Sequence, residues 1–275
     1  MIRLYLIYIA VIIIFPNLNL YSQEWYLPKP INFVKKGSVV LGTNLQISNN
    51  GDGILESLKI ENDYYGRYSP LEKLEIYLDV PVVYSKVEKF DSNLNIVDKT
   101  EKGIGDIFTS FSYETLSGDD WKIIHNLDFS LATGKNPYNN EVGLGSGHNS
   151  IGVGQTIMKV IDPIALFNYI GYQYGFSKKY SIGEVSPGGS FRLKFGSSIV
   201  LNPRIVTNIS ISNEFIGKTK IGNRKLQGSS SNLVYFNWGI DWRLNSVSKL
   251  SFDSILGMTK VTPDATIIIG FSILI

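Results

Sequence analysis

The chain has 275 residues, enough for one large β domain or two ordinary ones, and its 26 Lys plus Arg nearly balance 24 Asp plus Glu, a formal net charge of +2. That balance gives no electrostatic footprint for nucleic acid, and the lack of cysteine excludes disulfides, thiolate metal sites and a lipid attached through an N-terminal Cys. Charged residues are 18%, below the usual quarter, whereas 26 Gly, 16 Tyr and 14 Phe suit a strand-rich protein with many turns.

The N-terminus has one basic residue, Arg3, an apolar run from Leu4 to Phe15, the helix breaker Pro16 and a polar approach to Ser22. This layout predicts a secretory signal peptide over 1–22, cleaved after Ser22, and a mature chain of 23–275. The apolar run falls short of the ~20 residues that a spanning helix needs.

Beyond it a period-2 pattern recurs and no amphipathic helix stands out. Val39, Leu41, Leu45 and Ile47 share one face of a first strand. Ile54, Leu58, Ile60 and Tyr64 mark a second, joined to the first by the turn-prone "NNGDG". Leu74 to Tyr84 gives a third, and Ile107, Phe111 and Tyr113 a fourth. The fifth, "WKIIHNLDFSL", places Trp121, Ile123, His125, Leu127, Phe129 and Leu131 on one side and Lys122, Asn126, Asp128 and Ser130 on the other. Further strands follow around Ile151–Ile157, Ile164–Phe176, Phe191–Leu201, "IVTNISISNEF", Val234–Trp242, Leu250–Leu256 and Ile267–Ile275.

The tally of about twelve, an even number, suits a closed antiparallel transmembrane β-barrel, whose strands carry one apolar and one wet face. Connection lengths agree: "RYSP", "SGDD", "VIDP", "NPR" and "NSVS" are tight turns, whereas Lys86–Gly103, Gly134–Asn149, Lys178–Gly189 and Gly217–Asn232 are long polar loops. Outer-membrane barrels have short periplasmic turns and long extracellular loops. The final strand, "TIIIGFSILI", runs to the last residue, so it can close against the first. Gly270, Ile273 and Ile275 there resemble the C-terminal signal read by the barrel-assembly machinery, although the usual terminal aromatic is missing.

Four stretches are similar to the outer-membrane β-barrel family labelled for a MetA pathway of phenol degradation, whose members are described as transporters. They are "YYGRYSPLEKLEIYLDVPVVYS", "GIGDIFTSFSYE", "LDFSLATGKNPY…GLGSGHNSIGVGQTIMKVIDPIALFNYIGYQY" and "GMTKVTPDATIIIGFSI". The landmarks are Gly103, Gly105 and Asp106; Thr133 and Gly134; Gly143, Gly145 and Gly147; Asp162 and Pro163; and Thr262, Pro263 and Asp264. Ala132 departs from the proline the family usually has there. The resemblance implies passage of small, hydrophobic or aromatic solutes across the outer membrane of a Gram-negative bacterium, with lipid, the assembly machinery and the solute as partners.

The alternation directs Lys73, Glu75, Asp79, Asp106, Glu114, Lys122, Asp128, Arg192, Lys194, Asp241, Arg243 and Asp253 inward. Bulky Tyr77, Phe108, Phe167, Tyr169 and Tyr235 accompany them, which predicts a narrow lumen. These charges suit either a salt-bridged, hydrated filling or a charge-selective path. His125 and His148 are the only histidines, so a His-rich metal site is ruled out, and no cofactor is expected. His148 and Ser150 sit two apart, as a nucleophile and its base would in a lipid-modifying barrel enzyme. No third group completes that set, and the reading is of a non-enzyme. A surface adhesion or structural barrel, specific through "GKTKIGNRKLQGSSSN", is the other alternative.

Overall fold

The structure, a computed structural model, describes residues 33–51, 56–90, 96–118, 120–138 and 142–275; the expected signal peptide and Ile54 lie outside them. The described residues form seventeen strands and no helix. In chain order these are β1 (Val39–Gly51), β2 (Glu56–Leu71), β3 (Leu74–Phe90), β4 (Ile96–Ile104), β5 (Ile107–Ser117), β6 (Trp121–Leu131), β7 (Ser150–Ile161) and β8 (Ile164–Gly175). Then come β9 (Lys178–Tyr180), β10 (Gly183–Ser186), β11 (Ser190–Asn202), β12 (Ile205–Ile216), β13 (Lys220–Ile221), β14 (Arg224–Lys225), β15 (Ser231–Arg243), β16 (Ser248–Gly257) and β17 (Ala265–Leu274).

Thirteen of them make one antiparallel sheet that closes through β1, which pairs with both β2 and β17. β4 and β5 lie end to end along β3: its first half pairs with β5 (Leu74↔Tyr113 to Asp79↔Phe108) and its second with β4 (Val82↔Ile104 to Phe90↔Ile96). They occupy one position in the ring, which is therefore a twelve-stranded barrel. Between them the register slips by one residue at Gly105–Asp106, a bulge opposite Pro81, whose carbonyl accepts from Gly105 N at 2.9 Å.

The stagger can be read from the ladder. From Val40 the partners run through Arg67, Tyr77, Ser110, Asp128, Gly152, Gln173 and Ser190 to Ile216. From Asn44, four residues further along β1, they run the other way through Gly270, Ser251 and Asp241 to Val206. The two walks end ten residues apart from starts four apart, a shear of fourteen, which tilts the strands around the axis.

Alternation then sorts the side chains. Leu41, Leu45, Ile47, Leu127, Leu131, Ile170, Phe195, Ile211, Trp238, Trp242, Ile267 and Ile269 are all exposed on the outer face, and the inner face carries the polar residues described below. The fifth expected strand is β6, with Trp121, His125 and Leu127 exposed and Ile124 and Asn126 buried inside.

Several connections differ from the sequence expectation. The "RYSP" stretch belongs to β2, and the turn is Glu72–Lys73, fixed by the Leu71↔Leu74 pair. Most of the expected loop Lys86–Gly103 is strand, because β3 and β4 continue as a hairpin held by cross-strand pairs such as Lys86 Nζ–Asp98 Oδ2 at 2.8 Å. The long connections 176–189 and 217–230 likewise hold β9, β10, β13 and β14, which form a separate four-stranded sheet.

Candidate functional site

The interior is closed down at the end where the chain enters. Phe33 and Val34 are buried there; Val34 packs with Val40, Tyr65 and Leu274, flanked by Tyr77 and Val247. Val34 N donates to Glu75 Oε2 at 2.9 Å, and Arg67 grips the same carboxylate with Nε and Nη2, both at 2.8 Å. The backbone amide and the guanidinium together satisfy a carboxylate that would be costly to bury alone. On the facing wall Met158, Ala165 and Phe167 form a second apolar cluster at the same end.

Above this floor the lumen is polar and charged. β11 stands six positions from β2 in the ring of twelve, so Arg192 and Lys194 occupy the wall opposite Glu61 and Asp63. Arg192 pairs with Glu214 at 2.9 Å, Lys249 with Asp241 at 3.1 Å, and Lys59 with Glu61. Ser110 Oγ donates to Asp128 at 2.6 Å, and Asn208 Nδ2 to Asp241 at 3.3 Å. Lys194 Nζ lies 5.8 Å from the centre of the Phe167 ring. Together with Asp253, Asn44, Asn208 and Asn237 these two residues line a cavity of about 240 Å³. A second cavity of about 500 Å³ sits further up β1 and β15, between Gln46, Ser48, Lys59, Ser212, Tyr235 and Thr266, and Asn237 borders both. The path is thus lined by carboxylates, ammonium groups, amides and hydroxyls, which can replace water around a polar solute.

The connection from β6 to β7 folds against this interior. Asp106, on the bulge, accepts from Gly134 N at 3.1 Å and from both Ser146 N and Ser146 Oγ at 2.6 Å. Leu144 N and Gly145 N donate to Lys135 O at 2.8 and 3.1 Å, and Lys135 Nζ pairs with Glu101 at 2.6 Å. Thr133 Oγ1 donates to Gly105 O at 2.6 Å and receives Ile107 N at 3.1 Å. Leu144 is buried as a result, and the segment 143–146 borders a cavity of about 390 Å³ with Lys59, Glu61, Pro81 and Val83. Gly145 cannot be replaced without moving this clasp, since a Cβ there would stand 2.1 Å from Asp106 Oδ1. Gly147 has φ +82°, and its carbonyl accepts the Tyr180 hydroxyl from β9. Burial at this point pushes the His148 imidazole below its ordinary value, against the opposing pull of the Ser146 backbone and Asp106.

The sequence-expected residues are placed as follows. Glu75, Asp79, Glu114, Lys122, Asp128, Phe167, Tyr169, Arg192, Lys194, Tyr235, Asp241, Arg243 and Asp253 lie on the inward alternation of their strands. Lys122 and Glu114 meet at 3.8 Å, and Arg243 Nη2 donates to Pro203 O at 2.7 Å, at the turn joining β11 to β12. Asp106 is a loop anchor on the bulge. Lys73 is exposed in the two-residue turn after β2, because the strand ends at Leu71. Arg67, Glu61 and Asp63 join the inward residues, turned in by the alternation that sends Tyr64 outward on β2, and Lys249 is turned in by the alternation that sends Phe252 and Leu256 outward on β16. Ser150 Oγ accepts from Gln173 Nε2 at 2.5 Å, and His148 Nδ1 lies 3.2 Å from Ser146 O, so each is engaged elsewhere rather than with the other.

No protein-family model matches the chain. Among solved structures, it superposes on an outer membrane channel from Pseudomonas putida F1 with a TM-score of 0.75 at 11% identity, covering 90% of this chain and 99% of that one. The NanC porin gives 0.52 at 6% identity, over 86% and 98% of the two chains. The translocator domain of the autotransporter NalP from Neisseria meningitidis gives 0.51 at 11%, over 86% and 87%. The fold is that of outer-membrane β-barrels.

Proposed function

We propose that this chain is a narrow outer-membrane channel for small polar solutes, inserted through the barrel-assembly machinery. The observation that carries the reading is that most residues lining two adjoining cavities are polar or charged, inside a ring whose outer face is apolar. The fold likeness to a channel and a porin supports it. The resemblance to the phenol-degradation family points to hydrophobic or aromatic solutes. Phe167 and Tyr235, however, line separate cavities among mostly polar side chains, which makes no continuous apolar track. Ser150 and His148, each held by another partner, favour the channel over a lipid-modifying enzyme.

Purified protein in planar bilayers should show small or intermittent conductance, raised by Phe167→Ala. In liposome swelling, a zwitterion or monosaccharide should enter faster than an aromatic compound of equal size. A large steady conductance would contradict the narrow path. Faster entry of the aromatic compound would contradict the polar one.

A further inference from the structure

The four short strands outside the ring carry a lopsided charge. Residues 178–189 and 217–230 hold six cations, Lys178, Lys179, Lys218, Lys220, Arg224 and Lys225, against one acid, Glu184. With a formal charge of only +2 on the whole chain, the remainder is net negative. All six cations are exposed, and none is ion-paired among the described residues.

Their arrangement is directional. On β10, Glu184 and Ser186 share a face; Lys179 stands opposite the first, Lys220 opposite the second, and Lys225 opposite Lys220. Lys179, Lys220 and Lys225 therefore share one face. Direct opposition of two like charges across a sheet is unfavourable by itself and becomes favourable when an anion bridges them. The other face bears Val185, buried, and Tyr180, whose hydroxyl reaches Gly147, together with Lys178 and Arg224 at its two edges. That face covers the inward loop through Tyr180, so the one with Lys179, Lys220 and Lys225 turns away from it.

The depth of these cations follows from the strands beneath. Tyr172 and Tyr174 at the end of β8, Phe176 just beyond it and Phe215 at the end of β12 are exposed aromatics. They form the aromatic belt that marks a membrane boundary. Lys178 comes two residues after Phe176 and Lys218 three after Phe215, roughly 7–10 Å further along the chain. That is the depth of lipid headgroups.

We propose that the β9–β10–β13–β14 face binds the phosphate groups of lipids in the external leaflet around the barrel. The proposal rests on the membrane reading but is independent of what the pore passes, so lipid capture and conductance test the two separately.

The test uses the full chain in neutral detergent, titrated with bisphosphorylated lipid A or its phosphate-free form and followed by native mass spectrometry. The phosphorylated lipid should bind preferentially, and high salt should weaken it. K179Q/K220Q/K225Q should weaken it by roughly a hundredfold, whereas K86Q/K99Q/K102Q, on the β3–β4 hairpin, should leave it nearly unchanged. Heat-modifiable migration confirms that each variant is folded, and the wild-type comparison of the two lipids decides even if one is not. Equal binding of both lipids by the wild type would overturn the proposal, as would equal losses in the two variants. Displacement of the lipid by an equal concentration of inorganic phosphate would also overturn it, in favour of a soluble anion.

Discussion

Asp106→Ala should free the β6–β7 connection without opening the barrel. The carboxylate receives three hydrogen bonds, from Gly134 N, Ser146 N and Ser146 Oγ. Bonds to a charged acceptor contribute about 1.5–3 kcal/mol each in net terms. Asp106 is only half-buried, and two of its donors belong to one residue, so the low end applies and the terms overlap. Their joint contribution is about 3 kcal/mol. Local opening of the loop should therefore rise about a hundredfold. Hydrogen exchange read at the Gly134 and Ser146 amides should show it directly, and single-channel conductance should increase as Leu144 leaves the wall by Pro81 and Val83. Exchange in β7 and β8 should not change, because their ladder bonds do not pass through Asp106. Asp106→Asn, which keeps one acceptor oxygen, should fall between. Unaltered protection at Ser146 in the Ala variant would refute the clasp, and parallel loss of protection in β7 would show Asp106 to be a barrel residue instead.

Three other outcomes follow from the same geometry. Leu193→Arg, on the outer face of β11, should cost about 2–4 kcal/mol of barrel stability by urea titration in detergent micelles or lipid, and inward Lys194→Leu should cost less; the reverse order would invert the faces. Arg67→Ala strands the buried Glu75 carboxylate and should cost about 3–5 kcal/mol, while adding Glu75→Gln should recover part of it, and no recovery would deny that the two act as a pair. His148 binds its proton less readily in the folded loop than unfolded, so its contribution to loop stability is present at neutral pH and lost as pH falls through the ordinary histidine range. Loop exchange should accelerate between pH 7.5 and 5, and His148→Gln should flatten that slope; an identical slope in the variant would remove His148 from the account.

The ring itself was legible because every strand that parts an apolar medium from a wet lumen must alternate, and β6, β8, β11 and β15 do so over most of their length, with inward apolar residues such as Ile124, Ala165 and Phe167 at the closed-down end. Strand ends were less legible. The β3–β4 hairpin carries Lys86, Glu88, Asp98 and Lys99, and charge reads as loop when the pairing that holds it is with a strand ten or more residues away. The inward loop was hidden for a similar reason. Gly143, Gly145 and Gly147 read as turn residues, whereas Gly145 is small because Asp106, about forty positions earlier, needs the space. The seat of Val34 against Tyr65 and Leu274 left no trace in periodicity, since it joins distant parts of the chain. Among the inward charges, choosing isolated residues missed Arg67, the partner that makes Glu75 affordable to bury.

Twelve strands with a shear of fourteen fix the gauge of the tube before any side chain is chosen. Substitution of an inward residue can clear or block the bore but cannot dilate it, because circumference belongs to the backbone pairing. Selection for a bulkier cargo would first exhaust what can be gained by trimming Phe167, Tyr169, Tyr235 and the clasped loop. Beyond that the remaining route is the insertion of a whole hairpin, two strands at a time, which keeps the count even and lets the last strand still meet the first.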